Sequence, residues 1–355
     1  MTLDAPRLES AEKDVAETLS RCWELVNPVL RNTVAQLRPS TGRMALFSFG
    51  WVESDGTPRD TQGGTQGGTQ GGKGLRPALA VLCAEGVGGS AADAIPGAVA
   101  VELVHAFSLV HDDIMDGDEQ RRHRQTVWKA YGVGPAILTG DALLALAMDT
   151  LVRSTAEHAG AAVRRFSATL IELVRGQSED VAFESRPWTG PGAVTVEEYC
   201  AMAAGKTGAL LGCAAAVGAL LGGGPTVVAE QMMRLGRHLG LAFQAVDDLL
   251  GIWGDPEVTG KPVFSDLRRG KKTLPVVAAL AQGADPALLS ARPDDEGALR
   301  RSARVIEEAG GYNFAREYAE GRLDQAMTII GTAGLTGPAA GRLAALSRFL
   351  VDRAR

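Results

Sequence analysis

The sequence predicts an all-α protein, a bundle of about a dozen helices. Three observations carry that prediction. Apolar residues recur at Leu8, Val15, Leu19, Trp23, Val26, Leu30, Val34 and Leu37, in steps of three, four and seven that keep them on one helical face. Downstream runs rich in Ala and Leu keep helical spacing or are apolar all round, and no run alternates apolar and polar positions with β-branched enrichment, as a strand would. Hydrophobic residues make up 45% of the 355, ample for a large core. A single domain over residues 1–355 is the expectation.

Charge and cysteine usage narrow the function classes. A net charge of -6 without a basic stretch argues against a nucleic-acid partner. The cations stand instead beside acidic motifs, as they would around a small anion held by metal and cation together. Cys22, Cys83, Cys200 and Cys213 are widely spaced in apolar helical runs, which is neither a zinc pattern nor a disulfide framework, so free thiols in a reducing, cytoplasmic setting are expected. The opening MTLDAPRLESAEKD is acidic and lacks the apolar core of a signal peptide. The most apolar run, residues 207–221, falls short of the ~20 residues of a membrane span, and none is expected.

Taken in order, residues 8–37 form an amphipathic helix whose partner is either the rest of the fold or another subunit. Residues 55–72 contain DGTPRD and three TQGG repeats, with nothing apolar to bury, and are expected to form a mobile low-complexity loop. Lys73 after this glycine-rich stretch is followed by Gly74, so no GxxxxGK[ST] phosphate loop is present. In GKGLRP, Lys73 and Arg76 are three apart at a helix start marked by Pro77, where both can face one anion with the help of the helix dipole. Residues 98–110 are helical and apolar. Residues 127–151 are expected to form a buried helix with Asp141 as a structural hydrogen-bonder; residues 166–181 form another, with Gln177 and Asp180 facing either a cavity or the surface. Residues 199–221 carry Lys206 and Thr207, and a lysine in so apolar a helix needs an anion near its head group. Residues 285–304 read as a polar surface excursion, and two amphipathic helices, near 300–330 and 337–355, close the chain.

Two stretches carry the chemistry. SLVHDDIMDGDEQRRHR, residues 108–124, places Asp112 and Asp116 four apart on one helix face, roughly 5–6 Å between Cβ atoms, with Asp113 between them and Arg121 and Arg122 after them. Hard oxygen ligands, few enough to leave room for water and substrate oxygens, suit Mg²⁺ shared with a phosphate, and the arginines can grip the same anion. FQAVDDLLGIWGD, residues 243–255, repeats the idea with Asp247 and Asp248, preceded one turn earlier by Gln244. His105 lies two turns before Asp112 on the same face.

These motifs, with GKTG at Lys206 and GKPVFSDLRRGKKTLP from Gly260, resemble the trans-isoprenyl diphosphate synthase, or short-chain polyprenyl synthetase, family over residues 73–275 in the right order. The resemblance implies the isoprenoid synthase (class I terpenoid synthase) fold, a helical bundle around a deep apolar cavity with the aspartate motifs facing each other at its mouth, and a homodimer. It implies prenyl transfer from an allylic diphosphate to isopentenyl diphosphate. Mg²⁺ is then held by Asp112, Asp116 and Asp247, with Asp113 and Asp248 in support. Arg121, Lys206 and Lys261 assist departure of the allylic diphosphate, which Lys271 also reaches, and Thr207 and Gln244 lie near the allylic cation. Lys73, Arg76, His105 and Arg122 hold isopentenyl diphosphate. Helix geometry places Ser108, Val104 and Phe107 about 40°, 80° and 140° round from Asp112 on one flank. In the resembled family an aromatic five residues before a first motif without insertion, here Phe107, implies a twenty-carbon product, geranylgeranyl diphosphate, with farnesyl diphosphate as runner-up.

The family's second motif often has an aspartate where this chain has Gly251. Among rival readings, a class I terpene cyclase would need an Asn/Asp, Ser/Thr, Glu triplet that Asp247, Gly251 and Asp255 do not form. A His-Asp phosphohydrolase would use His111 and Asp112, but His123, His158 and His238 supply no cluster. A non-catalytic synthase-like subunit would be expected to have lost the aspartates or arginines, and all are present.

Overall fold

Capping chemistry and apolar spacing account for the helices that carry the motifs. The computed structural model describes residues 5–59, 74–256, 262–288 and 295–352, with side chains from residue 12 onward. Helix α1, Ala5–Val34, buries Val15, Leu19, Val26, Leu30 and Val34 of the stripe read from the sequence and Cys22 beside it, while Trp23 is only partly buried. After α2, Pro39–Ser48, comes α3, Leu75–Gly86, which starts at Gly74, whose φ of 86° is left-handed. Helix α4, Ala91–Met115, opens with a capping box between Ser90 and Asp93. Then follow α5, Val127–Tyr131, α6, Val133–Val152, α7, Ala159–Ser185, and α8, Val196–Ala203, with a second capping box between Thr195 and Glu198. A π-helical turn, Ala204–Gly208, joins α8 to α9, Ala209–Leu221; α10 is Thr226–Trp253. The remaining helices are α11, Ser265–Arg268, α12, Leu274–Ala281, α13, Glu296–Glu308, α14, Gly311–Thr332, and α15, Ala339–Asp352.

The all-α expectation holds, and among the described residues one short strand pair is the local exception. Gln120–Arg121 (β1) and Arg124–Gln125 (β2) pair antiparallel around Arg122 and His123, whose φ values of 52° and 60° are left-handed. Two central residues at positive φ are those of a tight type I′ turn, and a two-residue ladder is too short to show any periodicity. Two other expectations are corrected. Residues 300–330 are not one helix, because Gly310, at φ 84°, separates α13 from α14. Half of the supposed polar excursion is α13, capped by Asp295 on the Ala298 N–H and burying Leu299, Ala303 and Ile306 at steps of four and three.

The chain forms two compact units. One comprises Met1–Phe166, Ala214–Glu230 and Leu335–Ala339; in it α4 packs against α6, α3 and α1. The other comprises Ser167–Cys213, Gln231–Gly334 and Ala340–Arg355. Its core joins Phe183, Tyr199, Met202, Val246, Leu249, Leu274, Ala315 and Val351. All four cysteines are free, and burial pushes the Cys83 thiol up to about 12. Three helical stretches, Ala91–Met115, Val133–Val152 and Val196–Leu221, are long and apolar enough to cross a membrane by length and composition. The last extends the run judged too short from sequence, because α8, the π turn and α9 are continuous. Of its most apolar window, 78% is buried within the protein.

Candidate active site

In the first unit, α4 ends where its acidic motif begins to work. Gly117, at φ 67°, and the Asp118 N–H bonded to the Asp113 carbonyl at 2.9 Å close the helix in a Schellman-type turn. Asp112 and Asp113 thus lie in the last turn and Asp116 at the C-cap, at the negative end of the helix dipole, where carboxylates are disfavoured unless a cation compensates. Their surroundings differ. Asp112 and Asp116 are partly exposed, whereas Asp113 is buried and accepts the Arg121 Nε–H at 2.7 Å. Burial pushes the Asp113 carboxyl up to about 6 against the opposing pull of Arg121.

The hairpin after α4 aims its two arginines differently. Arg121 returns to Asp113, while Arg122, at the left-handed turn, is grouped electrostatically with Arg121 and Glu102. Arg76, in the first turn of α3, is lowered by burial, supported by Glu102 and opposed by Arg122. His105 is held well below the usual imidazole range by burial first, then by Arg76, Arg122 and Arg121. One histidine and three arginines therefore stand together. Arg122 is exposed by surface area, and its pKa is lowered by burial first and then by Arg121. The Nε of Arg76 is buried with no hydrogen-bond partner among the described residues.

In the second unit, one hydrogen-bonded chain ties three helices together. The Thr207 hydroxyl donates to Gln244 Oε1 at 2.8 Å, and Gln244 Nε2 donates to Asp248 Oδ1 at 3.0 Å. Asp248 Oδ2 accepts from the Tyr199 hydroxyl and from the Leu274 N–H at 2.9 Å. Asp248 is 3% exposed, and burial pushes it up to about 7 although all three hydrogen bonds favour its charge. Asp247 beside it is only partly buried. The π turn brings Lys206 close to α7: a Cβ on Gly176 would meet the Lys206 nitrogen at 2.3 Å, so only glycine permits the approach. Lys206 Nζ then donates to Asp180 Oδ2 at 2.5 Å, so the anion its apolar helix called for is present within the protein.

The other expected residues fall as follows. Lys73 and Lys261, and the TQGG repeats at 61–72, lie outside the described residues. Lys271 is partly buried, its N–H on the Asp266 carbonyl at 3.0 Å, and the neighbouring Lys272 donates to the Phe183 carbonyl at 2.8 Å, at the C-terminal end of α7. Val104 is fully buried and Phe107 and Ser108 are partly exposed. Phe107 meets the His111 ring edge-on at 4.7 Å, and His111 Nε2 reaches the Ile137 carbonyl at 3.1 Å over Gly140. Asp141, expected as a structural hydrogen-bonder, is more than half exposed and lies 3.9 Å from His111. Sequence reasoning passed over Tyr199, although it lies seven residues, two turns, before Lys206.

Among the described residues, no group of three or more His, Cys, Asp or Glu side chains stands ready to hold a metal unaided. The donors offered by Asp112, Asp116 and Asp247 are oxygen only and partly open to solvent. Oxygen donors of this kind, taken in each unit by itself, fit Mg²⁺, which keeps several waters and takes phosphate oxygens, and Arg76 with the three further cationic or imidazole groups near it fits a phosphate.

The Polyprenyl synthetase family pattern matches residues 65–306. Over 346 residues, 94% of this chain and 92% of the relative, the sequence is 44% identical to a (2E,6E)-farnesyl diphosphate synthase of Mycobacterium tuberculosis. A geranylgeranyl diphosphate synthase of the same organism is 42% identical over 338 residues, 93% of each chain. The fold superposes on a crystal structure of a polyprenyl synthetase from Streptomyces coelicolor with a TM-score of 0.86 and 45% identity, covering 95% of this chain and 99% of that one. The chain belongs to the polyprenyl synthetase family and has its all-helical isoprenoid synthase fold.

Proposed function

We propose that this chain, acting as one catalytic domain over residues 1–355, is a Mg²⁺-dependent trans-prenyltransferase of the cytoplasm. It condenses isopentenyl diphosphate with an allylic diphosphate to give a short-chain trans-prenyl diphosphate. The observation that carries this reading is the cluster of Arg76, Arg121 and Arg122 around His105, with an orphaned donor on Arg76, built next to the acidic end of α4. Arg121 pairs with Asp113 and Glu102 supports Arg76 and Arg122, and the diphosphate of a substrate would be a further partner for these cations.

In this reading Asp112, Asp116 and Asp247 would hold Mg²⁺, which would supply charge stabilisation to the departing diphosphate. Asp113 and Asp248 anchor the two motifs. Arg121, Lys206, Lys261 and Lys271 bind the allylic diphosphate; the Asp180 contact holds the Lys206 ammonium in place beforehand. Lys73, Arg76, His105 and Arg122 bind the diphosphate of isopentenyl diphosphate. As the allylic carbon–oxygen bond breaks, the double bond of isopentenyl diphosphate attacks the allylic carbon, and the released diphosphate takes the proton lost from the new unit. Thr207 and Gln244 line the allylic end.

The proposed product is geranylgeranyl diphosphate, because Phe107, five residues before Asp112, offers its bulk at one flank while Val104 touches no open space. Farnesyl diphosphate is the second reading, favoured by the 44% identical relative. We also propose a homodimer through α6, whose Val133, Ile137, Leu138 and Val152 are 42–65% exposed. Incubating the purified protein with isopentenyl diphosphate, Mg²⁺ and each allylic diphosphate, and measuring product length, tests the activity. Failure to consume any allylic diphosphate overturns it.

A further inference from the structure

Lys272, the second of the two lysines after Gly270, turns back onto the C-terminal end of α7. Its Nζ donates to the Phe183 carbonyl at 2.8 Å and reaches the Glu184 carbonyl at 3.4 Å. The last carbonyls of a helix have no partner within it and form the negative end of its dipole, so an ammonium is favoured there. The same Nζ lies 4.6 Å from the centre of the Trp188 ring, in cation–π contact. Burial lowers the Lys272 pKa, with the Glu184 carboxylate opposing and Arg186 adding. The seat is itself fixed. Arg186 donates to the Gly192 and Ala193 carbonyls at 2.8 and 2.7 Å and pairs with Glu198 of α8, which closes the loop carrying Trp188. Trp188 packs against the cluster of Phe264, Leu267 and Val276, and its Cζ2 lies 3.9 Å from where a Cβ on Gly270 would stand.

Lys271 is the neighbour that this clasp serves. Its N–H is bonded to the Asp266 carbonyl at 3.0 Å, and the Leu274 N–H is bonded to Asp248 Oδ2 at 2.9 Å, so the run from 271 to 274 is tied at both ends and clasped between them by Lys272. We propose that Lys272 is a positioning residue: held between the end of α7 and the Trp188 ring, it fixes the backbone from which Lys271 meets the allylic diphosphate and does not touch substrate itself. This deepens the reading that Lys271 binds that diphosphate, and rests on it. Two of the three N–H donors of Lys272 already have acceptors within the protein. The adjacent lysines thus divide the work, one on the substrate and one on the fold that presents it.

The experiment is a double-mutant cycle of Lys271→Ala and Lys272→Met in the full chain, reading kcat, KM for each substrate and the melting temperature. Lys272→Met keeps most of the stem and removes the charge, and should lower kcat/KM for the allylic diphosphate by up to about 100-fold, the cost of misplacing a reacting group by ~1 Å. KM for isopentenyl diphosphate should stay at the parental value. In the Lys271→Ala background the same substitution should add less than about two-fold, within the error of additivity, because a residue acting through Lys271 has nothing left to act on. Trp188→Leu removes the ring but leaves both carbonyls, should move the same constant by less, and carries the cycle if Lys272→Met does not fold. Kinetics of Lys272→Met within about two-fold of the parent, when Lys271→Ala is impaired, overturn the positioning role. Equal losses in both backgrounds overturn it too, since Lys272 would then act on substrate or on stability directly. If Lys271→Ala keeps parental kcat and KM, the reading of Lys271 fails and takes this one with it.

Discussion

The two aspartate pairs have the same sequence and the same division of labour, but they are anchored by different chemistry. In each pair the first residue is partly open and the second is buried, Asp113 at 5% and Asp248 at 3% exposure. Asp113 is balanced by one formal charge, Arg121; Asp248 is held by three neutral donors, Tyr199, Gln244 and the Leu274 N–H. A charge pair orients one side chain towards the hairpin. A hydrogen-bonded node instead fixes α8, α10 and α12 to each other, so that Thr207 and Gln244 inherit their geometry from Asp248.

The largest expected effect is on the open members. Asp112→Ala and Asp247→Ala should each lower kcat by about 10²–10³-fold with much smaller changes in substrate affinity, the size found when electrostatic support of a developing charge is removed. Steady-state kinetics with Mg²⁺, and loss of activity in EDTA, check this. Near-normal turnover in either variant would break the equivalence of the two pairs.

The anchors should then separate. Arg121→Ala leaves Asp113 buried without its counter-charge, a loss of about 2 kcal/mol once the partial exposure of the arginine and protonation of the carboxyl are allowed for. Tyr199→Phe removes one of three hydrogen bonds to Asp248 and should destabilise by about 1 kcal/mol. Urea unfolding of both variants decides it. Equal losses would mean that charge and hydrogen-bond anchoring are interchangeable here.

Much of this was legible in the sequence, and the rest for physical reasons was not. The i, i+4 spacing of Asp112 and Asp116 and the apolar run before Asp247 follow from helix periodicity alone. Which aspartate of a pair is buried does not, because it depends on Tyr199, Leu274 and Arg121 arriving from other elements. The same holds for Asp180 on Lys206, 26 residues away, and for Lys272 on the Phe183 carbonyl. Arg122 read as a cation next to a motif; that it sits at positive φ in a two-residue hairpin has no local signature.

A pH series sharpens the contrast further. His105 faces Arg76 from α3 and Arg121 and Arg122 from the hairpin, with Glu102 the carboxylate near those arginines; nothing comparable precedes Asp247, where position 240 is a glycine. Its folded pKa lies well below 6.5, its ordinary value. Above 6.5 the histidine is neutral both folded and unfolded and contributes no pH dependence. Below 6.5 the unfolded chain takes up a proton on this histidine that the folded one does not, so its contribution to stability falls as pH drops from 6.5. Asp113 and Asp248, pushed up to about 6 and about 7, contribute the opposite slope below those values. Urea unfolding at successive pH values therefore reads the histidine as a difference: the stability of the parent minus that of His105→Gln should fall as pH drops from 6.5.

The smallest energetic effect concerns what lies five residues before each pair: Phe107 before Asp112, and Ala242, fully buried, before Asp247. On α4 that position is about 7.5 Å along the axis from Asp112, at ~1.5 Å per residue, and its ring is steadied edge-on by His111, which rests on α6 where Gly140 leaves room. The bulk of Phe107 would therefore limit a growing chain, whereas an alanine at the same spacing would not. Phe107→Ala makes the two helices alike at this position. It should shift the products to longer prenyl diphosphates while the allylic diphosphate is still consumed, with stability reduced by less than the ~3–5 kcal/mol of a fully buried phenylalanine because Phe107 is only partly buried. Chromatography of dephosphorylated products reads the outcome. Products of parental length accompanied by a lower melting temperature would make Phe107 a packing residue and leave chain length to be set elsewhere.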